Sequence, residues 1–224
     1  MTNTIALRPI ITGATGMVGE GVLHECLHHP NVEAVLVLGR KSCGVSHPKL
    51  TEILHSDFSD ISAIVDKLAG YNACFFCAGV SSLGLSEEEY TKLTHTLTLG
   101  FATQLSTVAP KLTFCYVSGA GTDSSEQGKT MWARVKGKTE NDLMRLPFEQ
   151  ALAFRPGFTY PTPGLKNTLP MYKYLSWLFP VLQLFFSSHV STLREVGIAM
   201  IHAALYGSEK RVLEVRDIIA LAKN

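Results

Sequence analysis

The sequence predicts an α/β fold, in which a doubly wound parallel sheet carries helices on both faces and a small helical lobe follows near the C-terminus. Apolar strand-like runs alternate with helix-like stretches along the first two thirds of the chain. This alternation is typical of a parallel sheet, because each strand is joined to the next by a crossover. The 224 residues are 46% hydrophobic and 17% charged, which suffices for a core without disulfides or metals. We therefore expect a single domain over residues 1–224.

Each strand candidate is a short apolar or β-branched run that ends at a glycine or a polar turn. In chain order these runs lie at residues 5–11, 34–38, 52–55, 73–77, 113–117, 151–154 and 211–215. Helix candidates repeat apolar residues at helical spacing and lie at residues 16–29, 61–68, 87–108, 132–145 and 193–206. After Gly157, prolines at positions 161, 163, 170 and 180 interrupt an aromatic-rich stretch. We assign residues 158–192 to the small lobe, packed over the carboxyl edge of the sheet.

Charge and cysteine content limit the partners and the compartment. Lys and Arg number 20 against 19 Asp and Glu, a net charge of +1, so a nucleic-acid partner is not expected. The number of cysteines is odd, at five, and the N-terminus shows no cationic region followed by an apolar one. These features predict reduced thiols and a cytoplasmic location. Cys74 and Cys77 form a CxxC spacing inside a predicted buried strand, which favours a structural role over a redox or zinc site. The histidine spacing predicts no metal site.

The turn after the first strand carries the spacing GxxGxxG, in the segment from Thr12 to Gly19. A glycine at position 13 permits a tight turn, and one at position 16 lets the backbone approach a pyrophosphate at the helix N-terminus. A glycine at position 19 lets the helix pack closely on the strand. The pattern follows a strand and opens a helix, so it predicts a Rossmann-type dinucleotide site. The predicted contacts are Gly13, Thr15, Gly16, Met17, Val18 and Gly19.

The end of the second strand indicates which dinucleotide is preferred. Sites that prefer NAD place a carboxylate there for the ribose 2′-hydroxyl, whereas this chain has Arg40 and Lys41. Two cations suit a 2′-phosphate, so we expect NADP (NADPH) to be preferred over NAD. A solvated basic turn is the alternative.

Two further segments at successive strand ends extend the expected crevice. Asp57 would accept a hydrogen bond from the adenine amino group, and Phe58 would flank the ring. The small residues after the fourth strand would let the backbone run beside the adenine ribose. These predicted contacts are Cys77, Ala78 and Gly79.

The chain resembles the short-chain dehydrogenase/reductase superfamily, and within it the atypical NAD-dependent epimerase/dehydratase-like branch near the Tat-interacting-protein oxidoreductases. The resemblance covers nearly the whole chain. It is carried by the glycine turn, the basic turn and three later segments, which are Val117–Gly121, Arg134–Glu140 and Phe154–Gly157. It implies that Pro156, Gly157 and Phe158 run under the nicotinamide. Arg155 is either a buried structural cation or a ligand contact.

The resemblance also implies a catalytic set with one departure. In the superfamily a Ser orients the substrate oxygen, a Tyr passes the proton, and a Lys binds the ribose and lowers the Tyr pKa. Ser118 matches the Ser and Lys136 matches the Lys, but Trp132 occupies the Tyr position. An indole N–H donates a hydrogen bond but does not titrate near neutral pH. Hydroxyls that could replace that of the Tyr belong to Tyr90, Thr122, Thr159 and Tyr160. The alternative for Ser118 is a structural turn residue, and the alternative for Lys136 is a charge on the helix surface.

These observations predict an NADP(H)-dependent oxidoreductase that acts on a small, apolar carbonyl or alcohol compound. The alternatives are a non-catalytic NADPH-binding sensor or scaffold, favoured by Trp132, and a nucleotide-sugar epimerase or dehydratase, implied by the family. The aromatic lobe is a substrate lid, a contact surface for a membrane or protein partner, or ordinary packing. Its aromatic residues are Tyr172, Tyr174, Trp177, Phe179, Phe185 and Phe186.

Overall fold

The computed structural model describes residues 6–168 and 190–223, which build a seven-stranded parallel sheet and a separate strand pair. In chain order the strands are β1 (Pro9–Thr12), β2 (Val35–Gly39), β3 (Leu50–Leu54), β4 (Ala73–Phe76), β5 (Thr113–Val117), β6 (Gln150–Arg155), β7 (Phe158–Tyr160), β8 (Val190–Thr192) and β9 (Val212–Glu214). The large sheet has the order β3-β2-β1-β4-β5-β6-β9, and all its pairings are parallel. The chain winds outward from β1 in both directions, which confirms the predicted doubly wound α/β fold.

Helices cover both faces of this sheet. They are α1 (Met17–His28), α2 (Glu87–Thr91), α3 (Leu97–Val108), α4 (Met131–Leu143), α5 (Leu193–Tyr206) and α6 (Val215–Ala222). Strand residues alternate between two cores, because successive side chains point to opposite faces. Ile11 and Phe75 pack with α1 and α5, whereas Ile10 and Phe76 pack with α3. Both faces of the central strands are therefore buried, which explains their continuous apolar sequences.

The helices differ from the predicted ones at three places. The helix expected over residues 61–68 is only a 3₁₀ turn at Val65–Leu68, closed by short-range bonds such as the one from the Lys67 amide to the Ile64 carbonyl. The helix expected over residues 87–108 contains a π-helical turn at Lys92–Thr96. Helix α6 was not predicted, although a reciprocal cap between Glu214 and Asp217 opens it.

The ends of the predicted lobe form a two-stranded parallel sheet, β7 with β8, rather than helices. The aromatic residues between positions 172 and 186 lie outside the described residues, so their predicted role stays a prediction. Within residues 6–168 and 190–223, no helix combines the length and apolarity needed to cross a membrane.

A buried ion pair ties the second half of the sheet to α4. The Arg155 guanidinium donates to both carboxylate oxygens of Glu140, at 3.0 and 2.5 Å, and both side chains are buried. It also donates to Glu214 at 3.0 Å and to the Ser124 hydroxyl at 2.5 Å. Despite the cost of burial, these carboxylates raise the pKa of Arg155. Of the two alternatives for Arg155, a buried structural cation or a ligand contact, the structure therefore supports the first.

The substitution Glu140→Gln should lower the free energy of unfolding by about 3 kcal/mol, because it leaves a buried cation with too little compensating charge. The matched control is Glu33→Gln, which weakens an exposed pair with Arg8 at 2.9 Å and should matter much less. Urea unfolding of the two variants measures the difference, and equal losses would contradict a structural role for the buried pair.

Candidate functional site

A cleft of about 630 Å³ opens at the carboxyl ends of β1, β2 and β4. Cofactor sites in proteins occupy roughly 300–1,000 Å³, so this cleft has a suitable size for a dinucleotide. Its lining consists of Gly13, Ala14, Thr15, Gly16, Val37, Gly39, Arg40, Lys41, Ser56, Asp57, Phe58, Cys77, Ala78, Gly79, Val80, Leu93 and Leu97. The strand order places the cleft where the winding direction reverses, the usual ligand position in such sheets.

The glycine turn is shaped by close backbone contacts. Gly13 has φ +70°, and a Cβ atom there would lie 2.6 Å from the Ala78 nitrogen. A Cβ at Gly19 would overlap the Gly13 carbonyl oxygen. The Ala78 amide also donates to the Thr12 hydroxyl at 3.2 Å. The ends of β1 and β4 are thus locked together around a turn that excludes side chains.

The predicted contacts in this turn divide into two groups. Gly13, Thr15 and Gly16 line the cleft, and the Gly16 amide donates to the Gly13 carbonyl at 2.9 Å. Met17 and Val18 begin α1 outside the lining, and Gly19 packs beneath Gly13. The amides at the start of α1 suit a pyrophosphate, since helix N-termini bind anions. The residues present therefore fit a dinucleotide.

The basic turn after β2 lies at the rim of the cleft. Arg40 and Lys41 are exposed and contribute to its lining. The preceding residue, Gly39, accepts a hydrogen bond at its carbonyl from the His55 amide at 2.9 Å. The structure places both predicted cations beside the glycine turn, in position to contact a ligand in the cleft.

The two residues predicted for the adenine end also line the cleft. One carboxylate oxygen of Asp57 accepts from the Ser59 amide at 2.8 Å and from its hydroxyl at 2.6 Å. These hydrogen bonds lower the pKa of Asp57, and the bond from the Ser59 hydroxyl has the larger effect. Phe58 is largely buried, with its ring 5.9 Å from that of Phe101. Phe58 is thus a core residue that also contributes to the wall of the cleft.

The turn after β4 supplies Cys77, Ala78 and Gly79 to the lining, as predicted. Burial raises the pKa of Cys77 to about 12 and that of Cys74 well above its ordinary value. Both are free thiols, so a structural role fits the CxxC spacing better than thiolate chemistry.

No cluster of three or more potential ligands suited to a metal occurs in the described ranges, 6–168 and 190–223.

Ser118 and Lys136 meet at the carboxyl end of β5. The Lys136 ammonium donates to the Ser118 carbonyl at 3.3 Å and lies 5.3 Å from the centre of the Tyr116 ring. Ser118 Oγ lies 2.9 Å from Thr122 Oγ1, which itself donates to the Gly119 carbonyl at 2.8 Å. Because Thr122 has one proton and donates it to Gly119, Ser118 is the donor between the two hydroxyls.

Lys136 is the most strongly perturbed cation of the site. Loss of solvent lowers its pKa to about 8, although the Glu140 carboxylate acts in the opposite direction. Perturbed pKa values are frequent at functional sites. This observation favours the ligand role of Lys136 over that of a surface charge.

Trp132 lies one helical turn before Lys136 on α4, so the two share a face. Its side chain is half-buried, and a Cβ at Gly121 would lie 3.5 Å from the indole Cη2. The indole thus covers the turn that follows Ser118. Ser118, Trp132 and Lys136 are not part of the lining of the 630 Å³ cleft, so the predicted chemical end lies further along the same sheet edge.

The segment after β6 adjoins this end. The Ala120 amide donates to the Pro156 carbonyl at 3.1 Å, which joins the turns after β5 and β6. Gly157 and Phe158 are half-buried beside it and, like Pro156, lie outside the cleft lining.

The candidate replacement hydroxyls are not equally placed. Tyr90 is buried on α2, and burial raises its pKa. Thr159 is buried and donates to the Gly157 carbonyl at 3.2 Å, while Tyr160 is half-buried in β7. Thr122 is the candidate within hydrogen-bond distance of Ser118.

Sequence reasoning missed several apolar residues of the cleft. Leu93 lies in the π-helical turn and Leu97 begins α3, and both line the cleft together with Val80. Apolar spacing predicted the helix but did not show which of its residues escape the core. The π turn alters the helical phase at this point, and the apolar spacing of the sequence does not indicate it.

Comparison with known proteins agrees with this architecture. The NAD dependent epimerase/dehydratase family matches residues 10–129. Two solved structures share the fold over nearly the whole chain. The Bordetella bronchiseptica enzyme WbmF in complex with NAD⁺ is 15% identical, with a TM-score of 0.68 over 99% of this chain and 78% of that one. The Helicobacter pylori ADP-L-glycero-D-manno-heptose-6-epimerase is 16% identical, with a TM-score of 0.66 over 100% of this chain and 82% of that one.

Curated relatives come from fungi. The mitochondrial protein fmp52-1 of Aspergillus oryzae is 30% identical over 153 residues, 66% of this chain and 63% of that protein. The mitochondrial protein FMP52 of Meyerozyma guilliermondii is 25% identical over 156 residues, 67% of this chain and 64% of that protein. The matches thus span less than two thirds of these relatives.

The names of these relatives correct the expected location. The prediction of a cytoplasmic protein is wrong, because these relatives are named as mitochondrial. A mitochondrial targeting signal is amphipathic and rich in Arg and Ser, so its composition differs from that of a secretory leader.

The family match covers more than half of the 224 residues and includes the glycine turn, the basic turn and the β4 turn that form the cleft. The chain therefore belongs to the NAD dependent epimerase/dehydratase family, whose members bind nicotinamide dinucleotides.

Proposed function

We propose that this protein is an NADP(H)-dependent oxidoreductase of the atypical short-chain class, acting on a small, apolar carbonyl or alcohol compound. The observation that carries the proposal is the placement of Arg40 and Lys41 at the rim of a dinucleotide-sized cleft. A guanidinium binds phosphate through two parallel hydrogen bonds, and an ammonium adds a point charge. Together these cations suit the additional phosphate of NADP(H).

The chemical end is supplied by the groups after β5 and on α4. A bound nicotinamide would supply or accept a hydride. Lys136 would donate to the ribose hydroxyls, while Ser118 would orient the substrate oxygen through its hydroxyl. Since Ser118 donates to Thr122 in the structure, its hydroxyl must turn away from Thr122 to donate to a substrate.

A second candidate function is a non-catalytic NADPH-binding sensor or scaffold. Trp132 favours it, because the indole covers the turn after Ser118 and supplies no titratable proton. The adjacency of Ser118 and Lys136 favours the enzyme instead. The family match supports the third candidate, a nucleotide-sugar epimerase or dehydratase, but such enzymes would also need a proton-transfer group in place of the Tyr.

Replacement of Arg40 by Ala should weaken NADPH binding roughly 10- to 100-fold, which corresponds to about 1.5–3 kcal/mol for a hydrogen bond to a charged group. NADH binding should change little. Fluorescence titration with each cofactor measures both affinities. Arg216→Ala removes an exposed arginine on α6 and is the matched control. An equal loss for NADPH and NADH would exclude the 2′-phosphate assignment.

Replacement of Trp132 by Tyr should raise carbonyl reduction at least about tenfold, since a positioned acid typically contributes 10²–10⁴-fold. The rate of NADPH oxidation with a panel of aldehydes and quinones measures the gain. Trp132→Phe, which removes the indole without adding a hydroxyl, separates the new acid from mere access. If the Phe variant gains as much as the Tyr variant, the missing-acid interpretation fails.

The affinity for NADPH should fall as the pH rises through about 8, where the Lys136 ammonium loses its proton. Below that pH the cation is present and attracts the anionic cofactor. Titrations at pH 7 and 9.5 should differ several-fold in wild type and much less in Lys136→Met. Lys138→Met, an exposed lysine on the same helix, should keep the wild-type pH dependence. A wild-type affinity that is flat over this range would contradict the role of Lys136.

A further inference from the structure

A carboxylate on β3 supports the basic turn. Glu52 Oε1 accepts a hydrogen bond from the Cys43 amide at 2.6 Å. Glu52 pairs in register with Val37 of β2, and register partners on neighbouring parallel strands point to the same face of a sheet. Val37 lines the cleft but Glu52 does not. The carboxylate thus lies beneath the turn rather than in the ligand space.

The state of this carboxylate agrees with that position. Partial burial by itself would raise its pKa, but hydrogen bonds from the Cys43 amide and the Ser42 hydroxyl hold the pKa of Glu52 below its ordinary value. Glu52 is therefore ionised near neutral pH, and its charge is shared among donors of residues 42 and 43. Hydrogen bonds to an ionised acceptor are stronger than neutral ones.

The basic turn is compact, and the segment that binds Glu52 directly follows its two cations. A Cβ at Gly39 would lie 3.0 Å from the Lys41 carbonyl oxygen, so the chain folds back over the end of β2. The Gly44 amide donates to the Ser42 hydroxyl at 3.1 Å. Arg40 and Lys41 are exposed, and the two residues that follow them, Ser42 and Cys43, are the ones that donate to Glu52.

We propose that Glu52 is a positioning residue for cofactor selectivity, which holds the Arg40–Lys41 turn in the orientation that receives the 2′-phosphate of NADPH. The inference rests on the proposed function and deepens its cofactor site. Glu52 acts through the turn and does not contact the cofactor. Its benefit is preorganisation, because a turn that is already ordered loses less conformational entropy on binding.

The test compares wild type, Glu52→Ala, Glu52→Gln and Arg40→Ala in fluorescence titrations with NADPH and with NADH. Glu52→Ala should weaken NADPH binding about fivefold or more, as expected for a lost hydrogen bond to a charged group, and should leave NADH binding within about twofold. Glu52→Gln keeps an oxygen that accepts from the Cys43 amide, so it should retain most of the NADPH preference.

Hydrogen exchange of the Cys43 amide, measured without cofactor, provides an independent readout. Exchange should become faster in Glu52→Ala and stay near wild type in Glu52→Gln, with urea unfolding confirming that both variants fold. Unchanged exchange in Glu52→Ala would overturn the proposal. So would a Gln variant that loses selectivity as fully as the Ala variant while its Cys43 amide keeps the wild-type exchange rate, because selectivity would then not follow the order of the turn.

The outcomes separate this proposal from the proposed function. A wild type without NADPH preference, or an Arg40→Ala variant that keeps it, overturns the 2′-phosphate site and with it the selectivity role of Glu52. If Arg40→Ala loses NADPH affinity selectively as expected, but Glu52→Ala loses affinity for NADPH and NADH equally, only the role of Glu52 is overturned.

Discussion

The buried pair between Arg155 and Glu140 fixes the chemical end of the site. The guanidinium leaves the end of β6, and the carboxylate belongs to α4, one helical turn beyond Lys136. Further bonds to Glu214 and Ser124 connect the end of β9 and the loop after β5. A bidentate pair tolerates little sliding or rotation, because both hydrogen bonds depend on its geometry. The distance between Lys136 and the turn after β5 is therefore set by a charge interaction in the core.

The cofactor end depends on a different constraint, namely the volume excluded by backbone atoms. At Gly13 and Gly19 a single methyl group would collide with main-chain atoms of the β4 turn or of the glycine turn itself. The same close approach brings the Ala78 amide to the Thr12 hydroxyl. The glycine turn thus approaches its neighbours so closely that no side chain fits at Gly13 or Gly19, while the rim of the cleft receives charge from Arg40 and Lys41. Shape comes from the glycines, and the expected cofactor selectivity comes from the cations.

This division explains how much the sequence alone predicted. Glycine spacing and strand-end position are local patterns, so the glycine turn, the basic turn and the doubly wound sheet could be identified without a structure. Glu140 and Glu52 could not, because each acts on residues brought close only by folding: Glu140 lies 15 positions from Arg155, and Glu52 lies nine from Cys43. Both carboxylates look like ordinary polar positions of a helix or a strand. The π turn likewise needs tertiary packing to favour it over regular helix.

The region around Ser118 shows why the change from Tyr to Trp has structural as well as chemical consequences. A phenol at position 132 would offer a hydroxyl near the groups that Ser118 and Lys136 present, whereas the indole fills space over the turn at Gly121. Ser118 meanwhile donates to Thr122, and the lowered pKa of Lys136 reflects its removal from solvent. A lysine whose pKa is near 8 holds a proton only weakly, but position 132 offers no phenol to use that property. Under the proposed function, the lowered pKa bears on the binding of an anionic cofactor rather than on activation of an acid, so the Trp132 and Lys136 variants test separable steps.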